Sequence, residues 1–271
     1  VTGAAFRADD YGGRVRRLAP DPGADWTTWV SGFAGGDDDP VGMTFAPADH
    51  AGPWLAPGDG VVVDRGFNGP EGLWRFSADA AQGETAILGD DPAFGDPVDV
   101  AVTTDEIFIV DRFGGPDDTG VLWRVADDAG SPGLAVVAVD PPLGRPEAVV
   151  AHPADGTLLV LDAAPLDGGD ARVLRVDPGA GTSAVVLDGL QAEDQVQWGN
   201  LALDASGTRL AVAMLGPDLV WILERACPEA PGDVDGDGGA GLGDVLAILS
   251  AWGPCPEGCG ACDCVGDLDE D

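Results

Sequence analysis

An all-β protein is predicted, a β-propeller of four-stranded blades with a small α module at its C-terminus. Three observations carry that prediction. Short Val/Ile/Leu runs are split by Gly, Pro and Asp turns throughout residues 1–226, with no sustained helical periodicity. One unit recurs several times with a period of about 50 residues, within the range of propeller blades. Composition then changes abruptly: residues 1–226 hold 37 acids against 13 arginines, whereas residues 227–271 hold 11 acids, no base and all five cysteines. The chain therefore divides into a propeller at 1–226 and a small module at 227–271, joined near the Pro/Gly-rich residues 228–232.

Each unit can be justified strand by strand. First strands begin at Pro40, Pro97, Pro146 and Gly199. Second strands are apolar runs over 60–64, 107–111 and 158–162, each ending in an aspartate: Asp64, Asp111 and Asp162. A Gly-rich loop follows, and then a third strand with arginine at one fixed place, Arg17, Arg75, Arg124 or Arg175. Fourth strands are expected over 27–30, 85–88, 135–139 and 183–187. Three units are complete, the last has three strands ending at Glu224, and the N-terminal stretch supplies the later strands of another. About four to five blades are therefore expected, with further N-terminal blades missing from an incomplete ring. Radial repetition of four-stranded sheets buries such strands while leaving few open edges.

The net charge of −35 excludes several partners. Phosphate binding needs a basic stripe, so no nucleic-acid partner is expected. Anionic lipid is repelled in the same way. No run of 18 apolar residues exists to span a membrane as a helix. Clustered cysteines in a small acidic segment point to an oxidising, extracellular or periplasmic setting. No Gly-x-Ser-x-Gly elbow occurs. His50 and His152 sit beside turn residues and read as surface histidines. Trp74 and Trp123 share one repeat position and are expected to pack between blades, and the repeated arginines to pair with nearby aspartates.

The apolar-Asp, Gly-loop and arginine-strand arrangement resembles NHL-type and gluconolactonase-like six-bladed propellers. In such propellers the start of the innermost strand lines the channel mouth, where Gly42, Asp99, Glu147 and Asn200 align. The resemblance implies one divalent metal held there by acidic and Asn side chains, with Asp99, Glu147 and Asn200 as the ligands. Metal-assisted lactone hydrolysis would be the chemistry.

The small module carries a more specific pattern. Asp233, Asp235, Asp237 and Asp244 fall at positions 1, 3, 5 and 12 of a calcium loop, with Gly238 at the sharp turn. The backbone carbonyl of Gly239 supplies the position-7 oxygen. Leu242, Val245, Leu246, Leu249 and Trp252 then share one helical face. No helix precedes the loop, and a second loop starts at Asp267. This arrangement resembles a type I dockerin, which implies calcium as cofactor and a cohesin module as partner, often in carbohydrate-processing assemblies. A Cys227–Cys255 disulfide would bracket the loop and helix. The expected function is thus a binding or scaffolding propeller with a calcium-dependent attachment tail. Metal-dependent hydrolysis and membership of a polysaccharide-processing assembly, with carbohydrate as ligand, stand as the alternatives.

Overall fold

A computed structural model describes residues 5–9, 14–19, 23–31, 40–65, 71–77, 85–89, 93–128, 131–190, 199–214 and 219–224. The calcium loop at Asp233–Asp244, Gly239, the helix after it and all five cysteines, including Cys227 and Cys255, lie outside these residues. Five antiparallel sheets are present among the described residues. The first comprises β1 (Ala5–Asp9), β2 (Arg14–Leu18) and β3 (Thr27–Ser31). The second comprises β4 (Pro40–Phe45), β5 (Gly60–Asp64), β6 (Gly72–Phe76) and β7 (Thr85–Gly89). The third comprises β8 (Pro97–Val102), β9 (Ile107–Asp111), β10 (Val121–Asp128) and β11 (Ser131–Val137). The fourth comprises β12 (Pro146–Ala151), β13 (Leu158–Asp162), β14 (Ala171–Asp177) and β15 (Thr182–Leu190). The last comprises β16 (Gly199–Leu203), β17 (Arg209–Met214) and β18 (Leu219–Glu224).

Each sheet is an up-and-down meander, and β4, β8 and β12 contact one another in succession, as the inner strands of propeller blades do, while β1 contacts β4 as β5 contacts β8. The expected strands are all present. The N-terminal sheet has one more strand than was read from the sequence, β1. The β10–β11 hairpin also runs further than expected. Asp127 and Asp128 pair with Pro132 and Ser131 across it, although an acidic pair reads as a solvated loop. No helix among the described residues is long and apolar enough to cross a membrane.

Stacking explains the unbroken apolar runs of the second strands. β5, β9 and β13 are buried at every position. In β9, Ile107 and Ile109 pack with Val61, Val63 and Leu73 of the preceding sheet, whereas Phe108 and Val110 pack with Val149, Val160 and Leu174 of the following one. A strand covered on both faces loses the polar alternation of a half-exposed strand. Trp74 packs with Val15 and Val30 of the first sheet, and Trp123 with Leu73 and Leu88 of the second. Both indoles thus serve inter-sheet packing.

The repeated aspartate closes each blade. Asp111 Oδ1 accepts the amides of Asp96 (2.8 Å), Phe113 (3.0 Å) and Gly114 (2.9 Å). Its Oδ2 accepts the amide of Gly95 at 2.9 Å and the Trp123 indole N–H at 3.4 Å. Asp162 repeats this, accepting the amides of Arg145 (2.8 Å) and Gly144 (3.2 Å) and an N–H of Arg172 (3.1 Å). Asp64 occupies the equivalent place in β5 and is buried. The carboxylate at the end of the second strand therefore holds the segment leading into the first strand of the same sheet. Gly114 is needed beside it, because a Cβ there would stand 2.5 Å from Asp111 Oδ2.

The repeated arginines brace the opposite end, where the first strand turns into the second. Arg124 pairs with Glu106 at 3.2 Å, and Arg175 reaches Asp155 and Thr157 Oγ1. Arg75 instead donates to the Trp54 carbonyl at 2.8 Å, and Arg17 lies over the Trp29 ring at 4.7 Å. Aspartate pairing, expected for all four, is therefore seen at Arg175, with other partners at the rest.

The chain forms two compact units, Val1–Ala202 with Val212–Val220, and Leu203–Ala211 with Trp221 onward. In the second, Asp204 Oδ1 caps a turn by accepting the amides of Thr208 and Arg209, and Arg209 pairs with Glu224 at 3.0 Å.

Removing the latch leaves four part-buried amides and the buried Trp123 indole N–H without this acceptor. Asp111→Ala should lower unfolding free energy by about 2–3 kcal/mol, since an orphaned buried donor costs about 1–3 kcal/mol and water partly reaches the remaining amides. Exposed Asp118→Ala should change it by less than about 0.5 kcal/mol. Urea denaturation checks both, and equal effects would remove the latch from its structural role.

Candidate functional site: the central cavity

Three inner strands, β4, β8 and β12, begin with the same irregularity. Pro40 pairs with Asp64 and Gly42 with Val63, leaving Val41 extra. Pro97 pairs with Asp111 and Asp99 with Val110, leaving Val98 extra. Pro146 pairs with Asp162 and Ala148 with Leu161, leaving Glu147 extra. Each is a β-bulge, a device that re-aims side chains beside sites. Proline suits the first residue of each strand, because it has no N–H to offer the ladder.

These three strand starts, with Ala8 of β1, Gly199 and Asn200 of β16, and residues of β17 and β18, line one cavity of about 610 Å³. All of its lining residues belong to the first compact unit. Asp99, Glu147 and Asn200 therefore do share one cavity, but not as equivalents. Glu147 is the bulged residue, matching Val41 and Val98, whereas Asp99 matches Gly42 and Ala148. Alignment by sequence alone places Glu147 one position away from its structural counterpart, because a bulge has no signature in residue type.

The charged wall is built by the latches. Arg112 follows Asp111 directly and is 3% exposed. Its Nε donates to Glu147 Oε1 at 3.0 Å, one terminal nitrogen donates to Glu147 Oε2, and the other reaches Asp96 Oδ2 at 3.0 Å. Arg145 Nε stands 3.1 Å from Glu147 Oε1. Burial works against the Arg112 charge, but the hydrogen bonds and charges of Glu147 and Asp96 outweigh it and hold its pKa above the ordinary value. A bidentate arginine fills the carboxylate lone pairs that a cation would use.

Asp99 differs. Its Oδ1 accepts the amide of Val100 and its Oδ2 that of Val149, each at 2.9 Å, tying β8 to β12. Gly42 packs against it so closely that a Cβ there would lie 2.6 Å from Asp99 Oδ1. Burial pushes the carboxyl up to about 7, against the pull of the two amides. Asn200 is exposed at the rim. Among the described residues, no three His, Cys, Asp or Glu side chains are grouped to hold a metal ion. The divalent set expected of Asp99, Glu147 and Asn200 thus shares one cavity, with two of its side chains holding other partners. Glu147 is committed to two arginines, and both Asp99 oxygens already accept amides.

The histidines also depart from expectation. His50 is 5% exposed, with Nδ1 2.7 Å from the Thr103 carbonyl. His152 is half-buried, with Nδ1 3.3 Å from Asp155. Neither is a surface residue. Sequence reasoning missed Arg112, which lines the cavity, and Asp96 and Arg145, which complete its charge network behind the wall. The signal was available, since Arg112 follows a repeated Asp, and Asp96 and Arg145 each precede a strand-opening proline.

No protein-family model matches the chain, and no curated protein does. Among solved structures it is similar to YCF48 bound to a D1 peptide, with TM-score 0.53 and 11% identity over 85% of this chain and 63% of that one. It is also similar to a putative TolB from Agrobacterium tumefaciens, with TM-score 0.52 and 11% identity over 82% of this chain and 76% of that one. An auxiliary nutrient binding protein from Bacteroides ovatus matches at TM-score 0.47 and 12% identity over 68% of this chain. The chain spans 38% of that protein's length. At such identities the likeness is one of fold, the β-propeller.

Two outcomes test the wall. Arg112→Met alone should cost about 3–5 kcal/mol by stranding Glu147, whereas Arg112→Met with Glu147→Leu should recover most of it. A double variant no more stable than the single one would contradict the pairing. Asp99 sets a pH dependence. Its folded pKa of about 7 exceeds the ordinary 3.8, so its contribution is full below pH 3.8 and is lost as pH rises through 7. Denaturant titrations between pH 4 and 8 should show a fall of at most about 1.4 kcal/mol per pH unit, flattened in Asp99→Asn. An unchanged slope in that variant would show that Asp99 is ionised throughout.

Proposed function

We propose that the protein is an exported binding propeller whose central cavity takes a small ligand and whose acidic tail makes a calcium-dependent attachment. One observation supports the first part above all: five sheets converge on a single cavity in which Arg112 and Glu147 are already paired and Asp99 is held by backbone amides. Its volume of about 610 Å³ lies within the range of small-molecule pockets, about 300–1,000 Å³. Prepaired charges hold fixed dipoles toward a ligand, and the apolar Met214, Leu219 and Val220 offer a surface for its carbon skeleton. The arginine-bound Glu147 favours binding over metal-assisted hydrolysis. For the tail, the support is the spacing of Asp233, Asp235, Asp237 and Asp244 with Gly239, which also makes a cohesin-like partner the natural attachment. Carbohydrate is the ligand class that such company suggests.

Three measurements separate the readings. Passing a small-metabolite mixture over the immobilised chain should retain a ligand identifiable by mass spectrometry. Val220→Trp, at an exposed rim position, should reduce that retention; no retention, or equal retention by the variant, would count against a cavity ligand. D-glucono-1,5-lactone with calcium or manganese should hydrolyse at its spontaneous rate in a pH-stat. Metal-dependent acceleration lost in Asp99→Asn would establish hydrolysis instead. Calorimetric titration of the full chain with calcium chloride should show saturable binding that Asp233→Ala removes, and heats unchanged by the substitution would exclude this loop.

A further inference from the structure

A second cleft lies at the other end of the inner strands, in the same compact unit as the cavity. Its volume is about 300 Å³, and His50, Gly52, Trp54, Asp105, Glu106 and Arg124 contribute to its lining. The polypeptide builds it where the loop after β4 meets the turn between β8 and β9. The amide of Ala51 donates to the Thr104 carbonyl at 2.6 Å, and that of Thr103 to the Glu106 carbonyl at 2.9 Å.

His50 is the anomaly of this cleft. Its Nδ1 meets a carbonyl at 2.7 Å, and a ring nitrogen can meet a carbonyl only as the donor. The neutral ring therefore carries its proton on Nδ1 and presents a bare lone pair at Nε2. That Nε2 is buried and has no hydrogen-bond partner. Buried polar atoms without partners are rare and costly. Gly52 packs closely along this edge of the ring, since a Cβ there would stand 2.7 Å from Nε2 and 2.6 Å from the Asp105 carbonyl.

We propose that this cleft is a binding site for a small polyhydroxylated ligand, a polyol of monosaccharide size, one of whose hydroxyls donates to His50 Nε2. The chemistry of the wall selects hydroxyl groups. Nε2 and the Glu106 carboxylate need donors, whereas the Arg124 guanidinium needs acceptors, and a hydroxyl is both. An ammonium would satisfy the first two and be repelled by Arg124. A carboxylate would satisfy Arg124 and be repelled by Asp105 and Glu106. The Arg124–Glu106 pair, at 3.2 Å and about one-third exposed on both sides, is accessible to such a ligand. Trp54 supplies apolar surface suited to the C–H face of a sugar ring. This site is independent of the central cavity and stands whether or not that cavity holds a ligand.

The test is nuclear magnetic resonance of the 15N-labelled full chain. D-glucose, D-mannose and glycerol are added in separate titrations, with ethylammonium as a cation control. The His50 Nε2 and Trp54 indole resonances should move saturably in the millimolar range with at least one polyol, while those of His152 stay in place. Glu106→Gln should weaken the effect about tenfold, the consequence of losing one charge-assisted hydrogen bond. His50→Phe should abolish the saturable Trp54 shift. Should His50→Phe fail to fold, the Glu106→Gln titration decides alone. No saturable shift with any of the polyols, a Trp54 shift undiminished in the folded variants, or a response to ethylammonium without a response to the polyols would each overturn the proposal.

Discussion

The carboxylate that ends each second strand is the constraint on which the rest of this architecture depends. Asp111 takes four backbone amides and an indole N–H, and by doing so fixes three segments at once: the lead-in to β8, the loop after β9 and the Trp123 face. Asp162 does the same for the lead-in to β12. Loops around a buried carboxylate would otherwise carry amides that neither water nor a neighbouring strand could satisfy. The latch also determines which side chains reach the cavity. Arg112 emerges one residue after the Asp111 latch, Asp96 is bonded to that latch through its own amide, and Arg145 is bonded in the same way to Asp162. The cavity wall is thus a by-product of blade closure.

Buried charge in this wall is self-neutralising. Arg112 faces Glu147 from the next sheet and Asp96 from its own, so one guanidinium spans two blades. Buried ion pairs of this type contribute little net stability relative to apolar replacements, because desolvation offsets their attraction. They do define geometry, since a planar guanidinium accepts a carboxylate in only a few orientations. Asp99 adds a second inter-blade tie through the Val149 amide, and there the carboxyl has no cation to oppose burial. One blade junction therefore carries two ties of opposite character, an arginine–carboxylate pair and a carboxyl without a cation, which burial pushes up to about 7.

The strands were largely legible because blade burial imposes a simple rule. A second strand covered on both faces must be apolar throughout and must end where the latch begins, so runs such as 107–111 announce themselves. The repeated arginines were legible as anchors, although their partners were not. What each meets depends on a turn whose residues vary, Trp54 in one blade and Glu106 or Asp155 in others. His50 read as a surface turn residue because local sequence cannot show that a neighbouring sheet's turn will close over it. β1 lacks the unbroken apolar character of its counterparts, since Arg7 interrupts it. The tail pattern is the most specific in the sequence, and it falls beyond the described residues.

The bulges account for how a repeating scaffold supports a site that does not repeat. β4, β8 and β12 each enter on proline, place one extra residue, and then resume their ladders. Residue identity at that point is free of ladder requirements, because the extra residue is unpaired. Valine fills it in two blades and glutamate in the third, and the following position is glycine, aspartate or alanine. Where Glu147 occupies the bulge, Arg112 gains a carboxylate from the next sheet, and where Gly42 follows one there is room for Asp99 to lie between strands. The two substitutions are coupled through space, since Asp99 binds the β12 backbone two residues beyond Glu147. Divergence at unpaired positions of a repeated frame is therefore sufficient to convert a symmetric channel mouth into an asymmetric, ligand-sized cavity.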